Sequence, residues 1–468
     1  MHGPDLFLTA RRLLIALLFA PACLSAAQEP VDLLVHGGTV VTMDADFRVI
    51  EDGALAVRDD KIAAVGTAAD LTDRYAAKRK LDARGAIIMP GLVNAHGHAA
   101  MSLFRGLADD RALMDWLRNY IFPAEAKLVD EAFVRAGTKL ALLEMALGGT
   151  TTYVDMYYFE DAVADETAKA GLRGVLGQTL IDFPAPDFKT WEAMTTATDA
   201  YLAKWKGHPL IVPAAAPHAP YTVSPEHLQE VKRLSNKHGA PILLHVAETK
   251  QEVETVREKY QATPVVHLDK LGLLCPRLIA KHVVWAGDDE LLLLKKHDVG
   301  IAHCPQSNMK LASGIAPVPK MLELKLAVGL GTDGPASNND LDMWEEIDTA
   351  AKLHKVASGD PTVVSARQAL GMATIDGARA VHMAERIGSL EVGKEADLIL
   401  VGIDAPHQTP IYDVYSHLAY ATKASDVRTV VVAGRVIVED RKPATLDPET
   451  IRRDAMRYRD EIRTLLAK

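Results

Sequence analysis

Eight short apolar segments, each separated from the next by a helical stretch, constrain this chain more than any other feature. They fall near residues 86–94, 150–155, 173–179, 210–217, 241–246, 280–285, 298–303 and 327–332. Alternation of strand and helix predicts parallel strands joined by crossover helices, and strands buried on both faces read as unbroken apolar runs. Eight of them predict a (β/α)8 TIM-type barrel, an α/β fold, in preference to an open doubly wound sheet. The intervening helices carry signals of their own. Over 130–147, Phe133, Ala136, Leu140, Leu143 and Leu147 form one apolar stripe that Gly148-Gly149 ends. Ser224 reads as an N-cap with Pro225 in the first helical position, and that helix stops at His238-Gly239. No Walker-type loop follows any strand, so nothing points to a nucleoside triphosphate.

The two ends of the chain have a different texture. Residues 31–85 read as short β-segments punctuated by glycine, aspartate and charged residues, and 396–401, 427–432 and 436–439 resemble them. Each set is too small to bury a core alone. The expected organisation is therefore a composite β-sandwich domain from 28–85 and 390–445, a barrel over 86–389, and a C-terminal helix over 446–468. Arg11-Arg12, the apolar run Leu13 to Ala20 and the small residues Ser25-Ala26-Ala27 predict a signal peptide over 1–27. A periplasmic or secreted protein follows, or a cytoplasmic one if the start codon is misassigned. The apolar run is too short to span a bilayer, so no membrane partner is expected once the signal is removed.

A net charge of −10 argues against nucleic acid and favours a small molecule as partner; a homo-oligomer is left open. After signal removal, Cys275 and Cys304 are the only cysteines, too few for a disulfide scaffold and without metal spacing.

Chemistry collects at the strand ends. On an extended backbone, residues two apart face the same side, so His96 and His98 converge where the first strand ends. His218 follows the fourth strand and His245 and Glu248 the fifth; His282 lies in the sixth, His303 ends the seventh, and Asp333 follows the eighth. In a barrel these ends form one face. Of 17 histidines, six fall at such positions, more than scatter would place there. Three histidines and an aspartate suit a divalent metal such as zinc, whose water ionises near neutral pH. Glu248 would be the free carboxylate beside it, placed to move a proton. The plain alternatives are a core histidine at His245, a turn residue at Asp333 and a helix cap at Glu248. His303 reads equally as a substrate contact and as a residue that orders the loop Pro305–Asn308.

Four stretches carry a resemblance. Pro90 to His98, His245-Val246-Ala247-Glu248-Thr249, His303 to Asn308 and Gly331 to Asn339 resemble the amidohydrolase superfamily. More narrowly, with the block His98 to Asp110, they look like its 5-methylthioadenosine/S-adenosylhomocysteine deaminase branch. The likeness runs from about residue 31 to 440 and includes Gly393 to Leu398. It implies one metal, zinc with iron or nickel as alternatives, held by His96, His98, His245 and Asp333. A binuclear relative would offer a carboxylated lysine in strand four, but 210–217 contains no lysine.

The resemblance also implies Glu248 as proton shuttle, with His282 and Asp333 orienting the hydroxide. Glu125 would accept ribose hydroxyls, unless it is a helix-surface carboxylate, and His218 would be a second substrate contact. The implied reaction is hydrolytic deamination of adenosine, 5'-methylthioadenosine or S-adenosylhomocysteine. Rival readings are a guanine or triazine deaminase, a chlorohydrolase, or a non-catalytic barrel. One position departs from the pattern. Where family members that bind the homocysteine carboxylate offer arginine after strand three, this chain has Gln178, which disfavours S-adenosylhomocysteine unless Lys189 substitutes.

Overall fold

The computed structural model describes residues 28–466, so the expected signal peptide lies outside the described residues. Eight strands hydrogen-bond in chain order: β1 (Leu92–Gly97), β2 (Thr150–Tyr157), β3 (Arg173–Leu180), β4 (Ile211–Pro217), β5 (Ile242–Val246), β6 (Leu278–His282), β7 (Gly300–His303) and β8 (Val328–Leu330). Each is parallel to the next. A parallel bridge between Gly97 and Asp333 closes the ring, the Asp333 N–H donating to the His96 carbonyl at 3.0 Å. This is the (β/α)8 barrel that the alternation predicts. Closure sets the first and last strands side by side, and with them His96, His98 and Asp333.

The barrel is packed, not hollow. Val93, Val154, Val175, Leu243 and Ile279 project into one buried cluster, one from each of five strands. Chemistry is thereby confined to the rim where the strands end. The helix ends form as read, but the predicted stripe is not the buried face: of its five residues only Phe133 and Leu143 are buried, and Val134, Ala141, Leu142 and Met145 face the core instead. Asp130 caps the helix Glu131–Gly148 by accepting from the Phe133 N–H at 2.8 Å, and Gly149 leaves it at φ +90°. Ser224 caps Pro225–His238, which ends on Gly239.

The apolar run 86–93 behaves differently from its reading as a single strand. It is divided at Gly91. Ala86–Pro90 pairs antiparallel with Leu398–Gly402 in a separate sheet, and only Leu92–Gly97 enters the barrel. A side chain at 91 would collide with Thr151, its Cβ falling 2.1 Å from the Thr151 Oγ1. Apolar continuity says that both halves are buried, not in which sheet.

The separate sheet has nine strands from both ends of the chain. Glu29–Val41, Val49–Arg58, Lys61–Thr67, Tyr75–Asp82 and Ala86–Pro90 come from the front, and Leu398–Gly402, Val427–Val432, Arg435–Glu439 and Lys442–Pro443 from the back. The pairing of Ala86–Pro90 with Leu398–Gly402 joins the two sets. Leu33, Val57, Ile88, Leu398 and Val431 share one buried cluster, so neither end completes it alone. The helix Pro448–Leu466 then lies against Glu131–Gly148, with Ile451 and Ile462 buried and Tyr458 edge-on to Phe133.

Candidate active site

At the rim the ends of β1, β5 and β8 bring four side chains together. Nε2 of His96 and of His98 lie 3.3 and 3.2 Å from Oδ1 of Asp333. The ring nitrogens of His96, His98 and His245 lie within 4.8 Å of one another, as do the ligand atoms of His96, His282 and Asp333. Donors about 2.1 Å from one tetrahedral ion stand about 3.4 Å apart, so the spacing suits a metal.

Hydrogen bonding around the rings suits it too. His98 Nδ1 donates to the Met156 carbonyl at 2.7 Å and His245 Nδ1 to the His218 carbonyl at 2.8 Å. Each bond fixes the tautomer and leaves Nε2 as a lone pair facing the cluster. Neither nitrogen of the buried His96 has a hydrogen-bond partner, which is costly unless a ligand takes one. Burial pushes His96 and His245 well below the ordinary histidine value, so both are neutral imidazoles, the form that ligates. Asp333 is aimed by three donors: Gly334 N–H to Oδ1 at 2.8 Å, and the Ser307 and Ser337 hydroxyls to Oδ2 at 2.6 and 3.0 Å.

Glu248 and His282 stand beside this cluster, Glu248 Oε2 3.8 Å from His282 Nε2. Burial pushes the Glu248 carboxyl well above the ordinary range, and the charges of Asp333 and Glu252 add to the effect. Asn308 donates to His282 Nδ1 at 3.1 Å, which leaves the ring hydrogen on Nε2, pointing toward the site. Burial lowers this ring to about 4, so it works as a neutral donor. Three non-glycine residues here are left-handed: Ala247 at φ +52°, His282 at +67° and Asp333 at +61°. Each costs about 1–2 kcal/mol and persists only where surrounding contacts over-determine it.

The amidohydrolase family profile matches residues 87–437, three quarters of the chain, and a bacterial imidazolonepropionase-like composite domain matches 53–77. The chain belongs to the amidohydrolase family. A 5-methylthioadenosine/S-adenosylhomocysteine deaminase of Syntrophobacter fumaroxidans is 49% identical over 90% of this chain and 96% of its own length. A 5'-deoxyadenosine deaminase of Methanosarcina acetivorans is 42% identical over 92% and 98%. Among solved structures, an adenosine deaminase from Xanthomonas campestris with bound zinc superposes with a TM-score of 0.92 at 41% identity, covering 93% of this chain and all of that one. This amidohydrolase is therefore a hydrolase of C–N bonds, in the deaminase branch that its sequence resembles.

The cavity of the amidohydrolase spans about 650 Å³ of space between atoms, open solvent at its mouth counted in, of which about 70 Å³ can take the centre of a water-sized sphere. His98, His245, Glu248, His282 and Asp333 form its floor. Leu113, Trp116, Leu117, Ile121 and Phe122 make one wall apolar, and the same segment carries Glu125. Glu125 is buried, not a surface carboxylate, and accepts from the Tyr157 hydroxyl at 2.7 Å. His218 lines the cavity with Nδ1 engaged by the Thr222 hydroxyl at 2.9 Å, and burial lowers its ring to about 4.

His303 is placed elsewhere. Its ring meets His354 at 3.1 Å on the helix Met343–Ser358, and it is not among the residues that line the cavity. The loop after β7 serves the site through Ser307 and Asn308 instead. Lys189 is also accounted for: its ammonium donates to the Ala185 and Pro186 carbonyls at 2.7 and 3.3 Å. Gln178 Nε2 is engaged by Asp187 at 2.8 Å. No lysine or arginine lines the cavity among the described residues.

Several supporting groups escape a sequence reading. Asp155 accepts from the Ala99 N–H at 2.6 Å and fixes the turn after His98. Glu252 holds the backbone before Glu248. Lys281, fully buried, donates to the Ala95 carbonyl at 2.9 Å, one residue from His96. Of these, only the lysine in an otherwise apolar strand gives a signal in the sequence.

Proposed function

We propose that this amidohydrolase deaminates adenosine-type nucleosides by hydrolysis and favours those with a neutral, apolar 5' end. The observation that carries the reading is one cavity with Glu248, His282 and His98, His245 and Asp333 of the metal-binding cluster on its floor, His96 directly behind them, and Glu125 on its wall. In this reading the base of a nucleoside lies on the floor with its ribose hydroxyls toward Glu125.

His96, His98, His245 and Asp333 would hold one divalent metal, and zinc is our assignment because the Xanthomonas campestris neighbour carries it. When bound, the metal supplies Lewis acidity that lets water ionise near neutral pH. Glu248 takes a proton from water and delivers it to the ring nitrogen beside the amino-bearing carbon. That protonation spares the aromatic ring from carrying negative charge as oxygen adds. Burial keeps the proton affinity of Glu248 high, which suits a group that must hold a proton and pass it on. The Nε2 hydrogen of His282 is aimed to stabilise the developing oxygen. The second proton of the water then passes to the amino nitrogen, the C–N bond breaks, ammonia leaves, and an inosine-type product remains.

Substrate preference follows from the wall. A homocysteine carboxylate would meet no lysine or arginine on the cavity wall among the described residues, and Lys189 and Gln178 are engaged elsewhere. Leaving a charged group without its partner costs about 1.5–3 kcal/mol, roughly 10- to 100-fold in kcat/KM.

Ammonia release tests the reading on adenosine, 5'-deoxyadenosine, 5'-methylthioadenosine and S-adenosylhomocysteine, with guanine and a triazine as controls. The nucleosides should react and the controls should not, with S-adenosylhomocysteine the slowest nucleoside. Turnover unaffected by exhaustive chelation, or confined to guanine or the triazine, refutes the assignment. Glu248→Gln should abolish turnover, by at least about 100-fold, while keeping its metal.

We also propose that the mature chain is exported. The basic pair Arg11-Arg12, the apolar run after it and the small residues before Gln28 support this. N-terminal sequencing of protein recovered from a periplasmic extract should begin at Gln28; a cytoplasmic chain retaining Met1 refutes it.

A further inference from the structure

Glu252 reaches past its ordinary place in a helix. Thr249 caps Lys250–Tyr260, accepting from the Glu252 N–H at 3.1 Å. The pattern T-x-x-E is that of a capping box, in which the glutamate returns to the amide of the cap residue. Here the carboxylate goes further back. Oε1 accepts from the Ala247 N–H and Oε2 from the Glu248 N–H, both at 2.8 Å. One buried carboxylate thus straddles the two amides that lead into Glu248.

The opposite side of the segment is held as well. The Trp285 N–H donates to the Ala247 carbonyl at 2.9 Å, and the Val283 N–H to the Val246 carbonyl at 3.1 Å. Between these holds Ala247 is left-handed, which alanine does not sustain unaided. That turn takes the chain off β5 and sets the Glu248 carboxyl 3.8 Å from His282. Without the Glu252 oxygens, two buried amides lose their acceptors and the turn loses half its restraint.

We propose that Glu252 is a positioning residue for proton transfer: its carboxylate clamps the Ala247 and Glu248 amides and so fixes the direction of the Glu248 side chain. The proposal rests on the role given to Glu248 above. Glu252→Gln tests it, because glutamine has nearly the same volume but offers one acceptor oxygen and turns an N–H donor toward the second amide. kcat for adenosine deamination should fall about 10- to 100-fold, since small misplacements of reacting groups are this costly. KM should stay within about threefold, and metal content should match the wild type, because binding and ligation are untouched. Amide hydrogen exchange of the segment 246–249, measured on metal-free protein, should quicken at least about tenfold.

A variant with wild-type kcat per metal-loaded molecule and a lowered thermal midpoint would show a helix cap alone and overturn the proposal. So would activity lost in proportion to metal, or unchanged exchange. Should Glu252→Gln fail to fold, Glu252→Asp, which keeps the charge but falls short of one amide, is judged by the same kcat and exchange measurements. Wild type and Glu248→Gln run alongside. An inactive wild type or an active Glu248→Gln defeats the parent reading, whereas a fully active Glu252→Gln beside a dead Glu248→Gln defeats only this one.

Discussion

Glu125 owes its use and its cost to the same burial. Out of water its carboxyl is pushed up to about 7, even though the Tyr157 hydroxyl donates to it and pulls the other way. Its value in the unfolded chain is near 4.5, so the folded chain prefers the protonated form. Its contribution to stability is therefore fully present below about pH 4.5 and is lost as the pH rises through 7. Glu125→Gln removes the titration. The variant should gain on the wild type between pH 5 and pH 8, by up to about 3 kcal/mol if the whole shift is expressed. Denaturant unfolding at several pH values checks this, and a gap independent of pH would contradict it. The same substitution should raise KM for nucleosides about tenfold with little change in kcat, as expected of a contact to ribose rather than to the reacting carbon.

At the scale of the element, the barrel seam decides whether the cluster forms. Gly331 follows β8 and packs against β1, and a Cβ there would lie 2.7 Å from the His96 backbone nitrogen and 2.9 Å from its Cβ. Neither neighbour can yield without moving His96. Gly331→Ala should therefore weaken metal retention on dialysis, by at least about tenfold in affinity, and more than it lowers the thermal midpoint. Equal metal affinity in the two proteins would show that the seam accommodates a methyl group. The same element explains what could be read beforehand. His96, His98, His245 and Asp333 were legible because polar residues at the ends of apolar strands stand out, and eight strands imply a common rim. The break at Gly91 was not legible, because Ala86 to Val93 is apolar throughout and only pairing partners distinguish the sheets. Asp155 lies in a fully buried strand with no alternation to mark it. Glu252 was hidden by its own motif, since T-x-x-E already has an explanation in a helix cap. His303 looked like its neighbours at other strand ends, but its partner, His354, is on a distant helix whose approach no local pattern encodes.

Across the whole molecule, the barrel and the terminal sheet are joined beneath β3, at the end opposite the active site. Arg173 opens β3 and is fully buried, its Nε and Nη2 each 3.1 Å from an oxygen of Asp397 and its Nη1 donating to the Pro209 carbonyl at 2.9 Å. Glu395 joins the same guanidinium and is held from outside by Arg386 at 2.7 Å. Asp397 also accepts from the Ala433 N–H at 2.7 Å, and its carbonyl accepts from Gly91 at 3.1 Å. One cation thus fastens the segment before Leu398–Gly402 to the barrel, and Asp397 extends the tie to Gly91 at the front of the chain. Arg173→Met would leave Asp397 without its buried counter-charge and Glu395 with only the more exposed Arg386 and Lys61, which costs about 3–5 kcal/mol. Burial opposes ionisation of Glu395, but Arg173 and Arg386 outweigh it and hold its carboxyl below the ordinary value. This depressed group stabilises the fold above the unfolded-state value near 4.5, and its contribution is lost as the pH falls through the folded-state value. The deficit of Arg173→Met should therefore be largest near neutral pH and shrink on acidification below about pH 4. At a temperature where the variant is fully folded, kcat and metal content should equal those of the wild type, because the network lies at the far end of β3. Unfolding free energies that match the wild type at pH 7, or metal lost in step with stability, would show that the two parts of the molecule are not fastened here.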